Sequence, residues 1–149
     1  MQPQAEQSAQ TRLGVKVVVI DLDGTLLDTA PDLADAANAM LGELKLEHLP
    51  IETIRTYIGN GVSRLVKRVL TRDLHAEPDL DLFADALEIF QKHYGEHVSR
   101  SSKPYPGVID GLKKFRQRGF RLACITNKAE RFTVPLLRDT GLFDFFELI

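Results

Sequence analysis

The chain has 149 residues, of which 44% are apolar and 27% charged, and its formal net charge is −2. That is enough apolar material to bury a core, and it argues against wholesale disorder. The near-neutral balance leaves no basic footprint for nucleic acid, and no apolar run approaches the length of a membrane span, so a soluble, cytoplasmic protein with neither partner is expected.

In chain order, residues 1–12 are polar and Gln-rich without an apolar stretch, which reads as a disordered tail rather than a signal peptide. Val15 to Ile20 is apolar and β-branched with almost no alternation, the pattern of a parallel strand covered on both faces. Asp21 then sits at the carboxyl end of that strand, where open parallel sheets place ligands. Alternate side chains of an extended chain share a face, so Asp21 and Asp23 can meet in one pocket. Two like charges so close repel, and Mg2+, which prefers one or two carboxylates with phosphate and water, resolves the repulsion. Gly24 permits a tight turn, and Thr25 offers a backbone N–H and a hydroxyl to phosphate oxygens. A strand end followed by a turn would explain Asp23-Gly24 alone, but not the agreement of strand, both acids and the Gly-Thr-Leu continuation.

Residues 28–104 are far more than a crossover between strands requires, and they read as an inserted helical bundle. Leu33, Ala37, Met40, Leu41 and Leu44 share one helix face, with Thr29 as a cap and Pro31 in the first turn. Val62, Leu65, Val66 and Val69 mark another helix, and Leu82, Phe83, Ala86, Leu87, Phe90 and Tyr94 a longer one. Pro50, Pro104 and Pro106 punctuate the segment, with hinges near Asp28 and near Ser101 to Pro106. Gly59-Asn60-Gly61 opens the helix carrying Arg64, Lys67 and Arg68, which reads as a flexible turn before a solvated basic face. His93 and His97 are four apart but have no third ligand in view, so they read as surface residues. Asp28 either tunes a metal environment or caps the first helix.

Val108, Leu112 and Phe115 are at helical spacing with Gly119 as a C-cap, and the strand Arg121 to Ile125 follows. A right-handed crossover places this strand beside the first. Cys124 within it is the one cysteine, so no internal disulfide forms, and it reads as a small core residue rather than a nucleophile. Thr126 and Asn127 then lie at the same sheet edge as Asp21. Arg131 to Arg138 suggests a helix with a late start or a kink at Pro135, closed by Gly141, and Phe145 to Ile149 a third strand.

Asp21-Leu-Asp-Gly-Thr25 resembles the first motif of the haloacid dehalogenase (HAD) superfamily, Asp-x-Asp-Gly-Thr, and the stretch from Asp21 to Leu33 is similar to its phosphoglycolate phosphatase branch. The resemblance implies an α/β fold: a Rossmann-like parallel sheet core over 13–27 and 105–149, incomplete at strands 1 to 3, with an α-helical cap over 28–104. Thr126, after an apolar strand, resembles the second motif. With Asn127, Gly24 and Thr25 it would bind phosphate. A loop such as Gly59 to Gly61 would face the site and read the leaving group, with Arg64 as a candidate contact.

The mechanism so implied is hydrolysis through an aspartyl-phosphate, with Asp21 as nucleophile and Asp23 as general acid and base, both also at the Mg2+ site. The Asp23 backbone carbonyl would join them there. The favoured reaction is 2-phosphoglycolate to glycolate and phosphate. Another HAD phosphatase or a phosphomutase acting on a small sugar phosphate is the rival among enzymes. The superfamily's third-motif lysine and acidic pair have no counterpart in this sequence, and Lys128 follows Thr126 too closely to take the lysine's role. The chain therefore reads as the amino-terminal part of such an enzyme, with little or no turnover of its own. A truncated, non-catalytic protein that self-associates through an unpaired sheet edge is the rival of another class.

Overall fold

The computed structural model describes residues 14–149, and the tail expected at 1–12 lies outside them. Strand β1 (Val17–Ile20) pairs in parallel with β4 (Arg121–Cys124), Val17 opposite Arg121 and Ile20 opposite Cys124. On one face of this pair Val18, Ile20, Leu122 and Cys124 pack against Leu112 of α5 (Val108–Gln117) and Leu136 and Leu137 of α6 (Glu130–Asp139). The other face carries Val17 and Val19, 44% and 53% exposed, so the described residues cover one side only. Two right-handed crossovers that step in the same direction across a sheet leave their helices on the same side. An apolar β-branched run reports burial potential, not how many helices arrive to use it.

The third strand is shorter than expected. Phe143–Phe145 forms a 3-10 turn, and only Leu148 bridges in parallel to Ala123. The Glu147 N–H donates to the Leu122 carbonyl at 2.9 Å, and the Cys124 N–H to Leu148 at 2.9 Å. Helix α6 begins at Glu130 with Pro135 inside it, so the late start does not occur. Gly119 ends α5 as expected: at φ 81° it allows its own N–H to reach the Arg116 carbonyl and that of Phe120 to reach Phe115.

Between β1 and α5 the chain builds a helical layer: α1 (Ala30–Glu43), α2 (Ile51–Tyr57), α3 (Val62–Thr71) and α4 (Leu80–Glu96). The expected stripes are its core. Leu33, Ala37, Met40 and Leu41 meet Leu65, Val66 and Val69 and then Ala86, Phe90 and Tyr94. Helix α2 has only Ile54 and Tyr57 buried, too few to announce a period in the sequence. Two short strands, β2 (Leu27–Asp28) and β3 (Lys103–Pro104), pair antiparallel where the chain leaves and rejoins the sheet layer. The whole is an α/β fold with a Rossmann-like core and a helical cap. Among the described residues no helix is long and apolar enough to cross a membrane.

Phe90 is fully buried and stacks on Tyr94 with ring centroids 5.8 Å apart. Phe90→Ala is expected to lower the unfolding free energy by about 3–5 kcal/mol in a urea titration, because the surrounding side chains relax only partly into the cavity it leaves.

Candidate active site

The loop after β1 is wound around one carbonyl. Leu22, itself fully buried, accepts hydrogen bonds at its oxygen from the N–H groups of Thr25 (3.2 Å), Leu26 (3.0 Å) and Leu27 (3.1 Å), and the Gly24 N–H returns to Leu27 at 2.9 Å. Gly24 makes this possible at φ 74°, a conformation that costs a glycine nothing. With Leu22 turned into the core, its neighbours Asp21 and Asp23 both turn outward into one cavity. The turn after β4 brings Thr126, Asn127 and Lys128 to the same place, and the cap closes it from above with Ile58 to Val62.

Asp23 is the most heavily engaged of these groups. Its Oδ1 accepts from the Thr29 hydroxyl at 2.7 Å and lies 3.2 Å from the Lys128 ammonium. The Lys128 side chain is only 2% exposed; it also donates to the Tyr94 hydroxyl at 2.8 Å and stands 4.7 Å from the centre of that ring. Burial holds the Lys128 ammonium below the ordinary lysine value, while the Asp23 carboxylate pulls it upward. Burial, reinforced by the charges of Asp23 and Asp32, drives the Tyr94 hydroxyl well above the ordinary tyrosine value. Tyr94 therefore serves as a neutral hydroxyl that caps a buried cation. Burial likewise pushes the Cys124 thiol up to about 11, which suits its place as a core residue.

Of the residues expected to bind phosphate, Thr126 and Asn127 line the cavity with Asp21 and Asp23. The Thr126 hydroxyl oxygen accepts from the Lys128 N–H at 3.2 Å. Gly24 lines a neighbouring cavity with Asp28, Arg55 and Tyr105, and Thr25 is exposed with its N–H committed to Leu22. Arg64 does not reach the site: it pairs with Glu77 at 2.6 Å, as Lys67 does at 2.5 Å. Thr29 opens α1 but makes no side-chain cap, because its hydroxyl goes to Asp23. His93 pairs with Glu43 at 2.6 Å.

Asp21 and Asp23 suit a hard divalent cation, since their carboxylates converge on one cavity and oxygen donors are what Mg2+ takes. Among the described residues no group of three or more His, Cys, Asp or Glu side chains is placed to hold a metal. Among the described residues the acid pair is the carboxylate contribution to this cavity.

The supporting roles of three residues were not read from the sequence. Lys128 lies in a turn that gives no sign of burial, and Tyr94 falls on the apolar stripe of α4 and looks like packing alone. Asp32, buried at the start of α1, accepts from the N–H groups of Ser101 (2.8 Å) and Ser102 (2.7 Å) and from the Ser102 hydroxyl (2.5 Å), which pins the returning chain beside the departing one. An acid in the first turn of a helix is so ordinary that nothing local distinguishes it.

A two-layer molecule in which a helical cap roofs an acid pair at the end of a parallel strand has the architecture of a capped α/β hydrolase. A family model for haloacid dehalogenase-like hydrolases matches residues 15–149, and the chain belongs to that family. It is 65% identical over 137 residues to a phosphoglycolate phosphatase of Thiobacillus denitrificans, covering 92% of this chain and 60% of that protein. It is 56% identical over 137 residues to one of Nitrosospira multiformis, with the same shares covered. Among solved structures, a predicted phosphoglycolate phosphatase from Haemophilus somnus superposes with a TM-score of 0.81 at 31% identity, over 90% of this chain and 61% of that one. The chain thus spans about 60% of the length of the curated relatives it matches.

Asp28, on β2, accepts from Arg55 of α2 at 2.7 Å and from the Ala30 N–H at 3.3 Å. The hydrogen bond from Arg55 is the main cause holding the Asp28 carboxyl below its usual 3.8; burial opposes it, and the Ala30 N–H and the charge of Arg55 add to it. A depressed acid contributes stability above its unfolded value and loses it as pH falls through the depressed one. The difference in unfolding free energy between the wild type and Asp28→Asn is expected to be constant above about pH 5 and to shrink steadily in more acid solution. Denaturant midpoints of the two proteins across that range give the measurement.

Proposed function

We propose that this chain carries the nucleophile, the general acid and base, and the cap of a Mg2+-dependent phosphatase of small phosphorylated metabolites, with 2-phosphoglycolate as substrate. The observation that carries the reading is the convergence of Asp21, Asp23 and Thr126 on one cavity beneath the cap. The 65% identity to a phosphoglycolate phosphatase supports the choice of substrate.

In this reading Asp21 attacks phosphorus in line. An acyl phosphate bond forms at its carboxylate as the bond to the leaving oxygen breaks, and Asp23 gives that oxygen its proton. Since Oδ1 of Asp23 already accepts from Thr29 and faces Lys128, the proton belongs on Oδ2. A water then attacks phosphorus, returns its proton to Asp23 and frees phosphate, restoring Asp21. The Thr126 hydroxyl and the N–H groups beside it would receive the phosphoryl oxygens. The Asp21 carboxylate and the Asp23 backbone carbonyl would hold Mg2+, which when bound would withdraw charge from the phosphoryl oxygens.

The cavity measures about 50 Å³. It is floored by Asp21, Asp23 and Thr126 and roofed by Gly59 to Gly61. In this reading the roof at Gly59 to Gly61, lying over Asn127, would exclude water from the acyl phosphate.

With protein in excess over ester and Mg2+ present, phosphate release from 2-phosphoglycolate is expected to exceed that from glucose 6-phosphate. Asp21→Asn should slow release by at least about a thousandfold. Preference for the hexose phosphate would overturn the substrate choice, and an active Asp21→Asn protein would overturn the mechanism.

A further inference from the structure

The roof of the cavity has an unusual backbone. Gly59, Asn60 and Gly61 all have positive φ, at 120°, 62° and 86°. Asn tolerates the left-handed region better than most residues, but at a cost of about 1 kcal/mol that neighbouring structure must offset. The loop also sits tightly on the floor: a Cβ at Gly61 would lie 3.1 Å from the Asn127 carbonyl oxygen. Such a shape needs a restraint from outside the cavity.

Arg68 supplies it from α3. Its Nη1 donates to the carbonyls of Tyr57 at 2.8 Å and Gly59 at 3.4 Å, its Nη2 to Asn60 Oδ1 at 3.2 Å, and its Nε to the Leu74 carbonyl at 3.3 Å. One guanidinium thus ties the end of α2, the roof loop and the segment after α3 into a unit. The basic run on α3 is therefore not one solvated face. Arg64 and Lys67 turn to Glu77, and Arg68 turns to the loop. Lysine could not replace it, because a point donor cannot reach Tyr57, Asn60 and Leu74 together in fixed directions. Arg68 does not line the cavity itself, so whatever it does at the site it does through the loop.

We propose that Arg68 is a positioning residue that sets the shape of the roof and so selects the organic part of the bound ester, leaving the phosphoryl group to the floor. This rests on the phosphatase reading above. Phosphate would meet Thr126 and the acid pair, whereas the carbon skeleton would meet Gly59 to Gly61, and only the second surface depends on the guanidinium.

The test is calorimetric titration of the 149-residue chain, with Mg2+, by 2-phosphoglycolate and separately by inorganic phosphate, with amide hydrogen exchange over residues 57–61. Arg68→Lys is expected to weaken the ester about tenfold, to change phosphate affinity less than about twofold, and to speed exchange in the loop but not in α1 or α4. Asn60→Gly removes the Nη2 contact together with a side chain of the cavity lining and the strain at φ 62°; it should likewise speed exchange in the loop and weaken the ester more than phosphate, which keeps the proposal testable if Arg68→Lys folds poorly. Equal weakening of both ligands, or unchanged exchange with unchanged ester affinity, would overturn the role of Arg68 while leaving the phosphatase reading intact. A wild type that binds neither ligand overturns the phosphatase reading and the ester selection with it.

Discussion

A buried ammonium is tolerable only where charge and hydrogen bonds replace the water it has lost, and Lys128 is such a group. Its partners come from both layers: Asp23 from the loop after β1 and Tyr94 from the far end of the cap's longest helix. Removing any of them leaves the others short of a partner in a place with little water. The arrangement therefore fixes how the loop after β1, the turn after β4 and α4 sit together, and the cavity is the space those three leave.

Around that centre the two passages between layers are restrained differently. On the outward passage Asp28 meets Arg55, an ion pair about a third exposed and so modest in strength. On the return Asp32 gathers the Ser101 and Ser102 donors in a buried cluster. A carboxylate satisfied by several donors is a stiff joint, whereas a half-exposed ion pair can break and reform at small cost. Relative motion of cap and core is thus expected to pivot near Asp32 and open on the side of Arg55, which is also the side of the roof loop.

What was legible in the sequence was local. The β-branched run before Asp21, the apolar stripes of α1, α3 and α4, and the glycine after α5 each signal through neighbours within a few residues, and each appears where expected. The acid pair was legible because its chemistry is written in consecutive residues. The partners of that pair were not, since Thr29 resembled a helix cap and Lys128 was set aside for following Thr126 too closely, whereas the fold brings Tyr94, 34 residues earlier in the chain, onto its ammonium. The side of β1 that α5 and α6 cover was not legible for a related reason: the strand's apolar content is local, but where those helices arrive is a property of the topology. Arg68 looked like surface charge because its acceptors are main-chain oxygens, which no sequence pattern displays.

The antiparallel ribbon of β2 and β3 carries a consequence for how such a molecule can be varied. Leu27 faces Pro104 and Asp28 faces Lys103, so the ends of everything between them lie about 5 Å apart. A gap of that width can be closed by a two-residue turn, so in topology the helical layer is a cassette that could be exchanged without rethreading the sheet. Energetically it is no cassette. Tyr94 packs edge-on against Phe132 at 5.1 Å, and excising the cap would strand that ring and the Lys128 charge in water-exposed positions they are not built for. Any cap that replaced this one would have to bring an aromatic hydroxyl to the same spot, so the freedom to vary lies in the roof and the limit on it lies at the far end of α4.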